Sequence, residues 1–300
     1  MSCPNCGQKN RESATFCDSC GTQLPTILEE STPSQWQLAP SEGFVGRQRE
    51  LGELKVAFDA ALSGQGRLVM LVGEPGIGKS RTVEELLAHV PAYGAQVLWG
   101  RCYQEQGTPP YWPWVQIIRA YVRQQDPEQL KSELGSGASD IAEVVTEIKE
   151  RLLDLLPPTP LDSPEQARFR LFDAITSFLK AVSRRQPLVL VLDDLHWADQ
   201  PSLMLLQFVT RELADAHLLI LGTYRDVEVS RRHPLSQTLG ELTRQRLIQR
   251  VLLRGWSPEE VGGFIQMVSD LTPPPRLVEH VHRQTEGNPF FVTEVVRLLE

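Results

Sequence analysis

Eight residues, Gly73-Glu74-Pro75-Gly76-Ile77-Gly78-Lys79-Ser80, constrain this chain more than any other segment. They satisfy G-x-x-x-x-G-K-[ST], directly after the apolar run Arg67-Leu68-Val69-Met70-Leu71-Val72 and directly before a helical pattern. Glycines at these positions let successive backbone N–H groups turn inward around a β-phosphate, and a helix beginning near Lys79 adds the positive end of its dipole. Lys79 supplies a mobile cation and Ser80 a hydroxyl for Mg²⁺. The loop and Arg81 behind it form the candidate nucleotide-binding segment. An apolar strand that delivers such a loop has to be buried, which points to a parallel sheet covered on both faces.

Further strand-like runs fall at 96–99, 188–193, 218–223 and 247–253, with helical stretches between them. A first helix from Arg47 is expected to bury Leu51, Leu54, Val56, Phe58, Ala61 and Leu62. The region 107–187 interrupts the alternation as a helical insert. In it Ile141, Val144, Val145, Ile148, Leu152 and Leu155 form one amphipathic stripe, and Phe172, Ile175, Phe178, Leu179 and Val182 form another. Ser163-Pro164-Glu165-Gln166 opens the second stripe as a capping box, and Ser257-Pro258-Glu259-Glu260 opens the carboxyl-terminal helices in the same way. Tyr111-Trp112-Pro113-Trp114 reads as a set of packing anchors.

The run Leu188-Val189-Leu190-Val191-Leu192 ends in Asp193-Asp194. Its carboxyl end belongs beside the phosphate loop, where Asp193 can hold Mg²⁺ through water and Asp194 can orient or deprotonate an attacking water. Capping of a helix that starts near Asp199 is the competing use for both acids. His196 and Trp197 are read as packing or supporting groups. One strand later, Leu218-Leu219-Ile220-Leu221-Gly222-Thr223 leads into Tyr224-Arg225, and an arginine at that strand end can sense a γ-phosphate.

Four of the five cysteines fall in the first twenty residues as Cys3-Pro4-Asn5-Cys6 and Cys17-Asp18-Ser19-Cys20. Two C-x-x-C turns offer four thiolates to one tetrahedral ion, and soft sulfur favours Zn²⁺. Two disulfides are the competing arrangement. The first residues lack the basic and apolar regions of an export signal, so a cytoplasmic, reducing setting and a structural zinc ribbon are expected. Four ligands leave such an ion no open position for catalysis. Cys102, alone, reads as a buried filler. A Pro-containing linker, 24–42, separates the ribbon from the rest. Composition that is 41% hydrophobic and 23% charged excludes disorder throughout. No apolar run approaches the ~20 residues of a membrane span. A net charge of -8, with a ribbon that is about neutral, argues against direct DNA contact.

Five ordered segments together resemble the nucleotide-binding core of the STAND class of AAA+-related signalling ATPases. They are Phe44-Val45-Gly46-Arg47-Gln48-Arg49-Glu50, the phosphate loop, Asp193-Asp194-Leu195-His196-Trp197-Ala198-Asp199, Gly222-Thr223-Tyr224-Arg225 and Gly287-Asn288-Pro289-Phe290-Phe291. The resemblance implies an α/β P-loop NTPase with a parallel five-stranded sheet, the phosphate-loop strand central, a helical insert and a carboxyl-terminal helical lid, preceded by the small zinc ribbon. The expected divisions are 1–23 ribbon, 24–42 linker, 43–254 ATPase core and 255–300 lid. It further implies ATP or ADP as ligand, with Val45, Gly46 and Arg47 near the adenine, Pro289 closing over the base, and Arg225 as phosphate sensor. Such proteins are slow, Mg²⁺-dependent switches that oligomerise with ATP, contact protein partners and often regulate transcription or signalling. Members usually continue past the Gly-x-Pro segment into a winged-helix element and helical repeats, and no such sensor lies in these 300 residues. Two other uses of the same loop are a binding-only adaptor, which has no need of Asp194, and a P-loop kinase, for which the insert specifies no acceptor pocket.

Overall fold

The computed structural model describes residues 44–104, 107–161, 163–245 and 248–298, all within the unit Pro40–Glu300. The four zinc-ribbon cysteines, Cys3, Cys6, Cys17 and Cys20, and the linker 24–42 lie outside the described residues. The five apolar runs form five parallel strands: β1 Arg67–Val72, β2 Gln96–Arg101, β3 Leu188–Asp193, β4 Leu218–Tyr224 and β5 Ile248–Leu252. Their order across the sheet is β2-β3-β4-β1-β5. The phosphate-loop strand β1 is therefore interior but not central. β4, buried along its whole length, takes the middle. β5 carries Gln249 and Arg250 and is only partly covered, which suits an edge.

Helix α1 (Gln48–Leu62) precedes the sheet, and α2 (Lys79–Leu87) follows the loop. Leu51, Leu54, Ala57, Phe58 and Ala61 make the buried face of α1. Val56 was expected among them and is 68% exposed. Two residues advance a helix by about 200°, which carries Val56 to the side opposite Leu54. The insert contains α3 Trp112–Gln124, α4 Pro127–Leu134, α5 Ala138–Ile141, α6 Glu147–Arg151 and α7 Pro164–Arg185. Its first apolar stripe is not one helix. Ile141, Val145 and Ile148 are all fully buried, but α5 ends and α6 begins across Val144-Val145-Thr146, a β-branched run that disfavours helix. Ser163 caps α7 by accepting from the Gln166 N–H, yet its hydroxyl donates to Glu165, so the expected reciprocal box is half formed. The box at Ser257 and Glu260 is complete.

After β3 come α8 (Gln200–Arg211), β4, α9 (Pro234–Arg244) and β5. Leu68, Met70, Leu190, Leu192, Leu218 and Ile220 join one apolar core with residues of α3, α7, α8 and α9. Alternate strand residues face the other way, toward α1 and α2. Each fully buried Leu, Ile or Val contributes roughly 1.5–3 kcal/mol, so this double coverage dominates stability. Trp114 and Cys102 are buried in the same core, Trp114 donating its indole N–H to Ser202 O at 3.1 Å. Helices α10 (Pro258–Ser269), α11 (Pro275–Thr285) and α12 (Pro289–Arg297) form the lid around a separate small core of Trp256, Val261, Phe264, Ile265, Val281, Val292 and Val296.

The insert meets the sheet where α3 lies on β2. A Cβ added at Gly100 would stand 2.2 Å from the Pro113 carbonyl oxygen, which is backbone and has nowhere to go. Gly100→Ala is expected to lower stability in urea unfolding by about 1–3 kcal/mol. Gly240→Ala, in α9 with open space around it, is the control and should be neutral or stabilising by up to about 1 kcal/mol.

Candidate functional site

The loop from Gly73 to Ser80 leaves β1 and enters α2 through left-handed backbone at Gly76 (φ 75°) and Gly78 (φ 95°), which only glycine adopts freely. Gly78 is the N-cap of α2 and brings no capping side chain, so the first-turn N–H groups are left to an outside acceptor. Lys79 is 7% exposed, and its Nζ donates to the carbonyls of Gly73 and Glu74, each at 2.8 Å. Burial, then the nearby charge of Arg225, lowers its pKa. That ammonium spans the mouth of the loop.

Across from α2, the Ser80 hydroxyl donates to Asp193 Oδ1 at 3.2 Å. Asp193 is 1% exposed and also accepts from Thr223 Oγ1 at 2.5 Å and from Arg101 Nη2 at 3.1 Å. The Thr223 hydroxyl in turn accepts the Asp194 N–H at 2.9 Å. Asp194 is left-handed (φ 58°), a conformation that Asp tolerates better than most side chains. Its carboxyl pKa is raised by burial and by the charge of Asp193, against the pull of Arg225, Arg101 and Lys79. Neither acid caps α8; Asp199 does so, accepting the Ser202 N–H at 2.9 Å. Among the described residues no group of three or more His, Cys, Asp or Glu is arranged to hold a metal. Ser80 and Asp193 nonetheless fit Mg²⁺, which takes hard oxygen donors, few from protein and the rest from phosphate and water.

Arg225 follows β4 directly. Its Nη1 donates to Glu228 Oε1 at 2.7 Å, and its guanidinium lies 5.0 Å from the centre of the Trp197 ring. His196 is buried beneath, and burial drives its pKa down to about 4.

Beside the loop, Val45, Arg47, Ile77, Gly78, Arg81 and Thr82 face Trp256, Phe264, Pro289, Phe290, Thr293 and Glu294 of the lid across a cleft of about 340 Å³. Arg47 is 7% exposed, and its guanidinium donates to Ile77 O at 2.9 Å, so it braces the loop as well as lining the cleft. Burial lowers its pKa, opposed by Glu50 and Glu260. Gly46 is buried against the Glu260 side chain, away from the cleft lining. Glu74 and Pro75 belong to the loop and do not line the cleft either. The lid is fastened to the loop itself: Asn288 Nδ2 donates to Pro75 O at 3.0 Å, and the Phe290 N–H donates to Gly76 O at 3.2 Å.

The AAA ATPase domain family model matches residues 43–221, more than half of the chain, including the loop and both acids. The chain belongs to the AAA ATPase domain family. Two further family models match at the ends of this AAA ATPase domain protein. One is the zinc-ribbon domain over residues 2–24, which hold the four amino-terminal cysteines; the other is a domain of unknown function, DUF8739, over 268–300. An uncharacterized protein of Rhizobium meliloti (strain 1021) is 25% identical over 198 residues, covering 60% of this chain and 18% of that protein. Among solved structures the chain is similar to a Signal Transduction ATPase with Numerous Domains (STAND) protein with a tetratricopeptide repeat sensor from Pyrococcus horikoshii. That match has 16% identity and a TM-score of 0.47, and covers 89% of this chain and 34% of the other. It is also similar to the Aeropyrum pernix ORC1 protein in complex with DNA, with 16% identity and a TM-score of 0.46, over 87% of this chain and 62% of that one. The chain thus spans 18% of the curated relative's length and 34% of the STAND protein's.

Four residues of this AAA ATPase domain site escape sequence reasoning: Thr223, Arg101, Glu228 and Asn288. Thr223 and Asn288 stand inside motifs that can be read, but their partners lie 30 and 213 residues away. Arg101 is placed opposite Asp193 by the β2–β3 register. Thr223→Val keeps the shape and removes the hydroxyl, taking the shorter of two donors from Asp193 Oδ1 and leaving the Asp194 N–H without its acceptor. We expect a loss of about 1–3 kcal/mol in denaturant unfolding, largely recovered in Thr223→Ser.

Proposed function

We propose that this ATPase binds ATP or ADP with Mg²⁺ and hydrolyses ATP slowly, as a nucleotide-operated switch in signalling or transcription control. The observation that carries the reading is the direct fastening of Asn288 and Phe290 to the phosphate loop. Any rearrangement of Pro75 and Gly76 around phosphate pulls on the lid without an intermediary. In this reading 43–254 is the core and 255–300 the lid. The base lies in the cleft between Val45–Arg47 and Pro289, and the phosphates lie along Gly73 to Arg81.

Lys79 exchanges its two carbonyl partners for phosphate oxygens, and Arg225 reads the terminal phosphate. Ser80 and Asp193 hold Mg²⁺, which when bound neutralises charge on the phosphates. Asp194 orients the attacking water and accepts its proton. Because the Asp194 pKa is raised, the base takes up its proton earlier as pH falls, so turnover is lost on the acid side at a higher pH than an unperturbed aspartate would give. The carboxyl-terminal helices would pass the nucleotide state to protein partners, or to further copies of the chain as an ATP-dependent homo-oligomer. The zinc ribbon, with Zn²⁺ on Cys3, Cys6, Cys17 and Cys20, would serve as a contact module in a cytoplasmic protein without direct DNA binding.

Turnover of ATP by the metal-replete chain with and without Mg²⁺, with bound nucleotide identified after denaturation, tests this. Asp194→Asn should lose about 10²–10⁴-fold in rate while retaining nucleotide, and Lys79→Ala should lose both. Bound nucleotide with no Mg²⁺-dependent turnover would replace the ATPase switch by a binding-only adaptor, and stimulation by a phosphoryl acceptor would point to a kinase. A separate check is Gly76→Ala, whose methyl would meet Phe290 Cβ at 2.8 Å and Asn288 Oδ1 at 3.0 Å. Hydrogen exchange in the lid should then no longer respond to nucleotide.

A further inference from the structure

Arg225 is not idle beside the phosphate loop. A single 3₁₀ turn, Asp226–Glu228, returns the chain so that Glu228 Oε1 accepts from Arg225 Nη1 at 2.7 Å. The Trp197 ring lies against the same guanidinium. The second Glu228 oxygen stands 3.4 Å from His196 Nε2, and the same nitrogen stands 3.9 Å from Asp194 Oδ1. The His196 side chain is 0% exposed, and neither ring nitrogen makes a hydrogen bond to a described residue. Such a buried group is under-coordinated, with two carboxylates in reach and bonded to neither. A neutral imidazole carries one N–H and can serve one of them at a time.

We propose that Glu228 sets the discrimination between a nucleoside triphosphate and a diphosphate, by competing with the terminal phosphate for Arg225 and turning its freed carboxylate to His196. The proposal rests on the reading of Arg225 as phosphate sensor. With a diphosphate, the Arg225–Glu228 pair stays intact. A terminal phosphate draws the guanidinium away, and part of the binding free energy goes into separating the pair. Glu228 then accepts the His196 N–H, which leaves the Asp194 oxygens to water. Glu228 touches neither nucleotide nor water in this scheme; it is a positioning residue acting through Arg225.

Binding of AMP-PNP and ADP to the full chain with Mg²⁺, followed by calorimetry, separates the possibilities. Glu228→Gln keeps the side chain's size and an acceptor oxygen but removes the charge that holds Arg225. Its affinity for AMP-PNP should rise about three- to tenfold, with ADP unchanged within about twofold. In an Arg225→Ala background the same substitution should move neither affinity. His196→Phe, which fills the space without an N–H, should lower the AMP-PNP preference, because the freed Glu228 carboxylate finds no donor there. Glu228 is partly exposed and its replacement leaves the core intact, which thermal unfolding verifies; Glu228→Ala provides a second variant with the charge removed. An AMP-PNP to ADP ratio unchanged in both Glu228 variants, while Arg225→Ala lowers it, overturns the clamp and leaves the sensor standing. A ratio unchanged in Arg225→Ala overturns the sensor reading and the clamp together, and a wild-type ratio in His196→Phe overturns the part given to His196.

Discussion

A carboxylate taken almost wholly out of water has to be surrounded by donors, and Asp193 at the end of β3 is surrounded by three from three different elements. Removing an ion from water costs several kcal/mol, and only close, well-directed partners offset it. Ser80 supplies one at the start of α2, Thr223 another at the end of β4, and Arg101 the third at the end of β2. These contacts fasten the carboxyl ends of three adjacent strands to the phosphate loop. The parallel registers agree with this, since Arg101 lies opposite Asp193 and Leu192 opposite Gly222. A slip of one residue in either ladder would leave the buried charge with an incomplete shell.

The charge pattern of the site follows from that anchor. With Asp193 committed to its donors, Asp194 is held next to a like charge in a half-buried position, which favours its protonated form more than an open surface would. Lys79 and Arg225 balance the pair from the loop side and the β4 side, and their mutual repulsion adds to the burial that lowers Lys79. Both cations occupy partners that a phosphate could replace: backbone carbonyls for Lys79 and Glu228 for Arg225. Cys102, close by, takes no part, because burial pushes its thiol far above neutrality and keeps it inert.

Much of this was legible in the linear chain. The G-x-x-x-x-G-K-S loop, the apolar strand ending in Asp193-Asp194, and Arg225 directly after β4 all depend on neighbours within a few residues, so local spacing reports them. Buried parallel strands likewise announce themselves as unbroken apolar runs. What misled was pattern without direction: Val56 belongs to an apolar count but not to the buried face. The stripe from Ile141 to Leu155 is continuous in sequence yet divided among α5, a turn, α6 and the segment that follows it.

The sequence by itself determined the phosphate loop, the paired acids, the number of strands and the helical character of insert and lid, because each follows from short-range periodicity and composition. Only the tertiary structure decided that β4 is the middle strand, that Thr223 and Arg101 complete the shell of Asp193, that Glu228 holds Arg225, and that Asn288 and Phe290 grip the loop. The Thr223–Asp193 and Asn288–Pro75 contacts join residues 30 and 213 positions apart. The Arg225–Glu228 pair, though close in sequence, needs the 3₁₀ turn to meet. Strand order and side-chain direction are settled by which surfaces must be buried together, and that is a property of the folded chain as a whole.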